Sequence, residues 1–347
     1  PPRSTLFPYT TLFRSAISVS ALSRDDGAGG SFCASILASN PASDQCADSP
    51  ALSDLSPKDK PWDKHRSNAD SVQSHYFHSQ DFQDYARRVA ECSQLLSFGI
   101  VPDEAAKRKL KLMAARFCRV RHCPVCQWRR SLMWKAKAYK VLPKVVATYP
   151  KHRWLFVTLT LKNCPITELR VVLQEMNAAF RRMTRRKRWL PDGWLRSTEV
   201  TRGRDGSAHP HFHCLLMVPP SYFGKNYMKQ ADWVELWRSC MKLDYNPIID
   251  VRAVKKGQQP MQLVPEILKY VTKESDMVND REWFLELTRQ MHKMRCVATG
   301  GVLKDYLREL EQEPDDLIGA EESGEGLAGE LYFGWERQVK RYKQVDR

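Results

Sequence analysis

Residues 209–218 read His-Pro-His-Phe-His-Cys-Leu-Leu-Met-Val, and no other stretch constrains this chain so tightly. Successive side chains of a β-strand point to opposite faces, so His211 and His213 share one face while Phe212 enters the core. At a rise of about 3.3 Å per residue the two imidazoles stand about 7 Å apart along the strand, close enough to grip one divalent ion. A polar strand edge that merely carries histidines is the competing explanation, so the surroundings decide.

Those surroundings spell out a sheet. Between residues 154 and 273 the pattern reads strand, helix, strand, strand, helix, strand, helix. The first strand, 154–161, sets Leu155, Val157, Leu159 and Leu161 on one face and Phe156, Thr158 and Thr160 on the other. A helix over 166–187 follows from apolar residues at Ile166, Leu169, Leu173, Met176, Phe180 and Met183. It runs out into a cluster of arginines and lysines, cations suited to the negative end of its dipole. Residues 195–201 then rise into the turn-rich stretch 203–207, and the histidine strand returns from it as a hairpin. A helix near 229–242, a strand over 248–254 and a helix opening after Pro265 complete the unit. This βαββαβ order predicts an α+β fold of RRM/ferredoxin-like type: a four-stranded antiparallel sheet, helices on one face, the other face open for a site.

On a register that pairs Thr201 with His209, Glu199 lies directly opposite His211 on that open face. Two imidazoles and a carboxylate make a three-ligand centre with open positions; Asp205 and His209 are the alternatives for the third ligand. Further along, Pro265 suits the first helical position and Glu266 the first turn. Glu266 and Tyr270 are four residues apart and Lys273 three beyond, so one helical face carries all three. Taken alone that is an ordinary amphipathic helix. Beside a metal it suggests metal-assisted phosphoryl transfer, in which a cation offsets the charge that protects a phosphodiester from attack. A tyrosine hydroxyl, with an ordinary pKa near 10, needs a cation such as the metal or Lys273. Its attack on DNA leaves a phosphotyrosine that a 3′-hydroxyl can reverse, and Glu266 is placed to act as a general base.

The composition points to the same class of partner. The 347 residues hold 55 Lys and Arg against 40 Asp and Glu, a net charge of +15, which favours a polyanion. Residues 309–330 are strongly acidic, so the body before them is more basic still; that stretch reads as a solvated linker. No run of 18 apolar residues and no secretory signal is present, so no membrane partner is expected and a cytoplasmic location is. The ten cysteines fit a reducing compartment with thiols or a metal. Residues 1–75, rich in Ser, Ala, Asp and Pro, read as disordered. A near-duplication at Ser4–Phe7 and Thr10–Phe13 marks the first fifteen residues as a non-native start.

Cys118, Cys123 and Cys126 have metal-ligand spacing, and Cys92 or His122 completes a tetrahedral zinc site. Arg121, Arg129, Arg130 and Lys135, set among Trp128 and Trp134, suit phosphates and stacked bases.

These motifs in this order resemble the HUH endonucleases. His209 to Leu216 is similar to their His-hydrophobic-His motif, residues 156–161 to their first strand motif, and Glu266, Tyr270 and Lys273 to their tyrosine helix. A tyrosine downstream of the histidines, with a glutamate four residues before it, resembles the single-tyrosine plasmid rolling-circle initiators. Over residues 85–280 the resemblance implies a protein that nicks one strand at a single-stranded or cruciform plasmid origin. It implies Mg²⁺ or Mn²⁺ at the catalytic site, structural Zn²⁺ on a cluster with a cysteine corresponding to Cys92, and a host helicase and polymerase as partners. The expected organisation is a Cys-rich helical zinc and DNA-binding module at 76–150, the nuclease at 151–280 and a helical region with an acidic linker at 281–347. The oligomeric state is left open. A transposase of the same chemistry, a non-catalytic zinc-containing DNA-binding regulator and a two-His-one-carboxylate iron oxygenase are the rival readings; the oxygenase has no use for the Cys module or Tyr270.

Overall fold

The computed structural model describes residues 49–102, 108–255, 258–269, 271–309 and 329–346. Helices α1 (Leu52–Leu55), α2 (Pro61–Phe77) and α3 (Gln83–Ala90) precede a hairpin of β1 (Leu95–Pro102) and β2 (Arg108–Ala115). The long α4 (Pro124–Thr148) leads into β3 (Arg153–Thr160), α5 (Leu169–Met183), β4 (Gly193–Arg202), β5 (Ala208–Val218), α6 (Gln230–Met241) and β6 (Ile249–Ala253). After α7 (Val264–Ile267), α8 (Glu274–Val278) and α9 (Arg281–Gln290) come β7 (Val297–Gly301), α10 (Val302–Glu309), β8 (Glu330–Glu336) and β9 (Arg341–Val345).

The stretch from β3 to β6 has the expected βαββαβ order. Its strands lie antiparallel in the order β6-β3-β5-β4, with β7 added beside β4 as an edge the periodicity did not reveal. Gly301 ends that fifth strand with φ +55°, and a Cβ there would stand 2.0 Å from the Asp192 carbonyl, so the close pairing needs glycine. Helix α5 is shorter than expected and stops at Met183, before the run of like charges at 185–188.

Leu155, Val157 and Leu159 of β3 and Phe212, Cys214 and Leu216 of β5 meet α5 and α6 in the main core. The opposite face is not open. Trp154, Phe156, Leu195, Leu215 and Met217 are covered by Ala138, Val141, Leu142 and Val145, which form one stripe of α4, with α7 and α10 beside it. Among the described residues, Glu199, His211 and His213 take that face at one end of the sheet, outside this apolar cluster.

A second antiparallel sheet, β2-β1-β8-β9, joins the two ends of the described chain. Residues 330–345 are therefore strands, not part of a helical region. Leu331 and Phe333 share one face of β8, and Phe333 and Tyr342 enter a core with Trp62, Val72, Tyr76 and Cys92. Two five-to-seven-residue strands after an acidic run carry too little periodicity to stand out. Nor is the whole of 1–75 without structure. Helix α2 buries Trp62, Ala69, Val72 and Tyr76 along one face together with His65 and Arg66, polar residues that hid the pattern. The Cys-rich module thus combines helices with a β-hairpin. Helix α9 ties it to the first sheet, giving Trp283 and Leu287 to one core and Phe284 and Leu285 to the other. Residues 1–48, with the expected non-native start, and 310–328 of the acidic stretch lie outside the described residues. Among the described residues no helix is long and apolar enough to cross a membrane.

Candidate functional site

The β4–β5 hairpin has the register on which the metal reading depends: Thr201 faces His209 and Glu199 faces His211. One oxygen of Glu199, Oε2, lies 3.1 Å from His211 Nε2 and 2.8 Å from His213 Nε2. The two imidazole centroids are 4.8 Å apart with their planes perpendicular, closer than the strand rise alone implies. One ligating atom from each of the three residues lies within 4.8 Å of the others, so they can share a cation.

Outer contacts aim the rings. His211 Nδ1 donates to the His209 carbonyl at 3.3 Å, and His213 Nδ1 meets the Thr158 hydroxyl at 3.3 Å from the neighbouring strand. Such contacts fix ring orientation and tautomer, and each leaves Nε2 as the atom that faces the centre. Glu199 is 3 % exposed. Burial alone would raise its pKa, but hydrogen bonds from His211, His213 and Lys269 outweigh it and hold the carboxyl well below the usual range. Neither alternative ligand joins. Asp205 sits exposed in the hairpin turn, accepting from Ser207, and the His209 ring stands outside the cluster, 5.3 Å from that of His211. Burial and the adjacent His211 push His209 below its ordinary pKa.

The tyrosine helix does not form as expected. It stops at Ile267, and Leu268 leaves helical geometry at φ −104°, ψ 35°. Its carbonyls have found other partners: Ser197 Oγ donates to Ile267 O and Ser131 Oγ to Leu268 O. In a continuing helix those acceptors would bind the amides of residues 271 and 272. Glu266 and Lys273 accordingly share no helical face. Glu266 pairs with Arg252 at 2.8 Å, which also holds Asp250 at 2.8 Å, while Lys273 is exposed at the N-cap of α8. Tyr270 itself lies outside the described residues. Its two chain neighbours do not: Lys269 Nζ is 2.9 Å from Glu199 Oε2, and Val200 N donates to Val271 O at 2.8 Å. Nothing in the local sequence pattern marks Lys269 except its place beside Tyr270.

The four cysteines Cys92, Cys118, Cys123 and Cys126 converge in the buried second core. Their sulfurs lie 3.5 Å apart for Cys118–Cys126 and 3.7 Å for Cys92–Cys126 and Cys92–Cys123. Four thiolates at about 2.3 Å from a zinc ion form a tetrahedron with edges of about 3.8 Å, so the cluster has the right size. Local backbone builds it: Arg119 takes φ +57° in the knuckle, Cys123 is the extended N-cap of α4, and Pro124 follows in the first turn. Thiols of the other three donate toward Cys92 and hold it well below the ordinary thiol range. His122 is not a member. Its Nδ1 faces Thr288 Oγ1 at 3.3 Å, and burial pushes it down to about 3.

The basic residues proposed for DNA are partly committed to the fold. Arg129 lies over the rings of Trp62, Phe117 and Trp128. Arg130 donates to the carbonyls of Arg119 and Arg121 at 2.7 and 3.2 Å, and Arg121 to Cys296 Sγ at 3.0 Å. Lys135 is half-buried, which lowers its pKa.

A family model described as "Replication protein" matches residues 109–343. A "Protein rep" from Bacillus amyloliquefaciens is 34% identical over 288 residues, covering 74% of this chain and 84% of the relative. One from Lentilactobacillus hilgardii is 33% identical over 304 residues, 82% of this chain and 95% of the relative. Another, from Lactiplantibacillus plantarum, is 37% identical over 244 residues, 66% and 75% of the two chains. No solved structure matches the chain significantly.

Proposed function

This chain belongs to the replication-protein family of plasmid initiators, and from that premise we propose that it starts rolling-circle replication by cutting one origin strand with Tyr270. One observation carries the reading: Glu199, His211 and His213 converge on a single point, and the residues on both sides of Tyr270 are bonded to Glu199 and to its neighbour Val200. The strand order β6-β3-β5-β4 supports reading the sheet as RRM/ferredoxin-like.

Two imidazoles and a carboxylate suit Mn²⁺ and admit Mg²⁺, and a divalent cation held by Glu199, His211 and His213 would draw charge from the non-bridging oxygens of a phosphodiester. The Tyr270 hydroxyl gives up its proton and attacks phosphorus. The bond from phosphorus to the 3′-oxygen breaks, that oxygen leaves as a 3′-hydroxyl after taking a proton, and the 5′ end remains on the protein as a phosphotyrosine. Lys269 and Lys273, both close to Tyr270 in the chain, favour the tyrosinate by their charge. A later 3′-hydroxyl reverses the step and rejoins the strand. Glu266, half-exposed and oriented by Arg252, is the general base for hydrolytic release. Cys92, Cys118, Cys123 and Cys126 would hold a structural Zn²⁺, a reading that their sulfur separations support. Arg121, Arg129, Arg130 and Lys135 would supply positive charge for the phosphates of origin DNA, and a host helicase and polymerase would unwind and extend the nicked strand.

The test uses an oligonucleotide carrying the origin strand. His211→Ala should abolish Mn²⁺-dependent nicking while retaining most DNA affinity, because phosphate contacts dominate binding. Unimpaired nicking by that variant would refute the metal centre.

A further inference from the structure

Helix α4 belongs to the Cys-rich module, yet two of its side chains reach across to the tyrosine segment. Ser131 Oγ donates to the carbonyl of Leu268, two residues before Tyr270. Gln127 Nε2 donates at 2.9 Å to the carbonyl of Thr272, two residues after it. Gln127 and Ser131 are four residues apart, one turn, so a single helix face holds both ends of the stretch. All three of Gln127, Ser131 and Thr272 are buried, where a backbone carbonyl finds no water to replace a lost donor. The far side is held by the metal-site strand, through Lys269 to Glu199 and Val271 to Val200. Beyond it, His65 and Asn68 of α2 both bond the buried Glu274, and His75 Nε2 meets Val278 O at 2.9 Å.

We propose that Gln127 and Ser131 are positioning residues for the cutting step: they fix the backbone on either side of Tyr270, at Leu268 and Thr272, next to the strand that carries Glu199, so that the Cys-rich module serves that step and not only DNA binding. The proposal rests on the nicking reading above. Gln127 directly follows Cys126, and the cysteine cluster that orders the first turn of α4 therefore also orders the clamp. Neither side chain touches substrate. Their effect is on where the nucleophile stands, and a displacement of about 1 Å at such a point costs up to about a hundredfold in rate.

The full chain is compared with Gln127→Met, which keeps the side-chain length without the donor, with Ser131→Ala, and with Ser131→Thr, which restores the hydroxyl. Two quantities are read: the rate of covalent adduct formation at saturating origin oligonucleotide, and hydrogen exchange of the amides at 268–278. Gln127→Met and Ser131→Ala should lower the adduct rate about tenfold or more at unchanged DNA affinity, and speed exchange in 268–278 while β3, β4 and β5 keep their protection. Ser131→Thr should return both readouts to within about twofold of wild type. Unchanged exchange in the two donor-less variants overturns the clamp whatever the enzyme does. Faster exchange with an unchanged adduct rate overturns the positioning role. Absence of any adduct with the wild-type chain refutes the nicking reading itself, and the positioning role with it. Should Gln127→Met fail to fold, the Ser131 pair decides the matter alone.

Discussion

Replacing Thr158 by valine removes one hydroxyl from behind the candidate metal centre and keeps the branched shape that a strand favours. In the structure that hydroxyl sits 3.3 Å from His213 Nδ1 and is the outer partner that aims Nε2 at Glu199. Outer partners of metal-ligating histidines are worth about 10- to 100-fold in metal affinity. A separation of 3.3 Å is long for a hydroxyl contact, so the low end applies: about tenfold, or about 1.4 kcal/mol. Thr160→Val is the matched control. It lies on the same face of β3, beside His211, but its hydroxyl donates at 2.7 Å to the Ile248 carbonyl. Calorimetric or paramagnetic titration with Mn²⁺ should give a Thr158→Val affinity about tenfold weaker and a Thr160→Val affinity within about twofold of wild type, with thermal melts confirming that both fold. Equal weakening in the two variants, or none in Thr158→Val, would refute the assignment of Thr158 as the residue that orients His213.

Trp62→Ala should cost about 3–5 kcal/mol, because the ring is 1 % exposed in the core of a segment whose composition suggests disorder; an unchanged denaturation midpoint would mean that α2 does not pack there. Glu199 should impart a pH-dependent stability to the metal-free chain. Its folded pKa lies below the unfolded value, so the ionised form stabilises the fold above about pH 4.5 and that contribution fades as the pH falls toward the folded value. The difference in melting temperature between wild type and Glu199→Gln should therefore be largest near neutrality and shrink below about pH 4.5; a pH-independent difference would show that the carboxylate charge is not what His211, His213 and Lys269 stabilise. The cysteine cluster should bind one Zn²⁺ per chain, released when its thiols are titrated, and Cys118→Ser should lose the ion together with several degrees of melting temperature. A zinc-free wild type with the same melting temperature as the variant would contradict that.

How much of this was legible in the chain depends on whether the signal was local. The alternation in β3 and β5 and the turn-rich stretch between β4 and β5 are local, and they set the hairpin register that brings Glu199 opposite His211. The cysteine spacing was equally readable, and Cys92 proved to be the fourth thiol in the cluster. What escaped was decided between distant segments. Ser131 and Ser197 take the carbonyls of Leu268 and Ile267, ending a helix that residues 265–273 favour on their own. The stripe of α4 that covers Phe156 and Met217 reads as an ordinary amphipathic pattern until the sheet is there to receive it. Strand β8 gains its meaning only by pairing with β1, more than 200 residues away in sequence, and β9 by adding to β8. Lys269 carries no pattern at all; its contact with Glu199 follows from where that broken helix turns.

The central claim is that Tyr270 is the nucleophile. The most direct measurement incubates the wild-type chain with Mn²⁺ and a single-stranded origin oligonucleotide, digests the product and locates the DNA-linked peptide by mass spectrometry. The account predicts a 5′-phosphate on Tyr270 in the wild type and no linkage in Tyr270→Phe. A linkage on another residue, or one that persists in Tyr270→Phe, would contradict it.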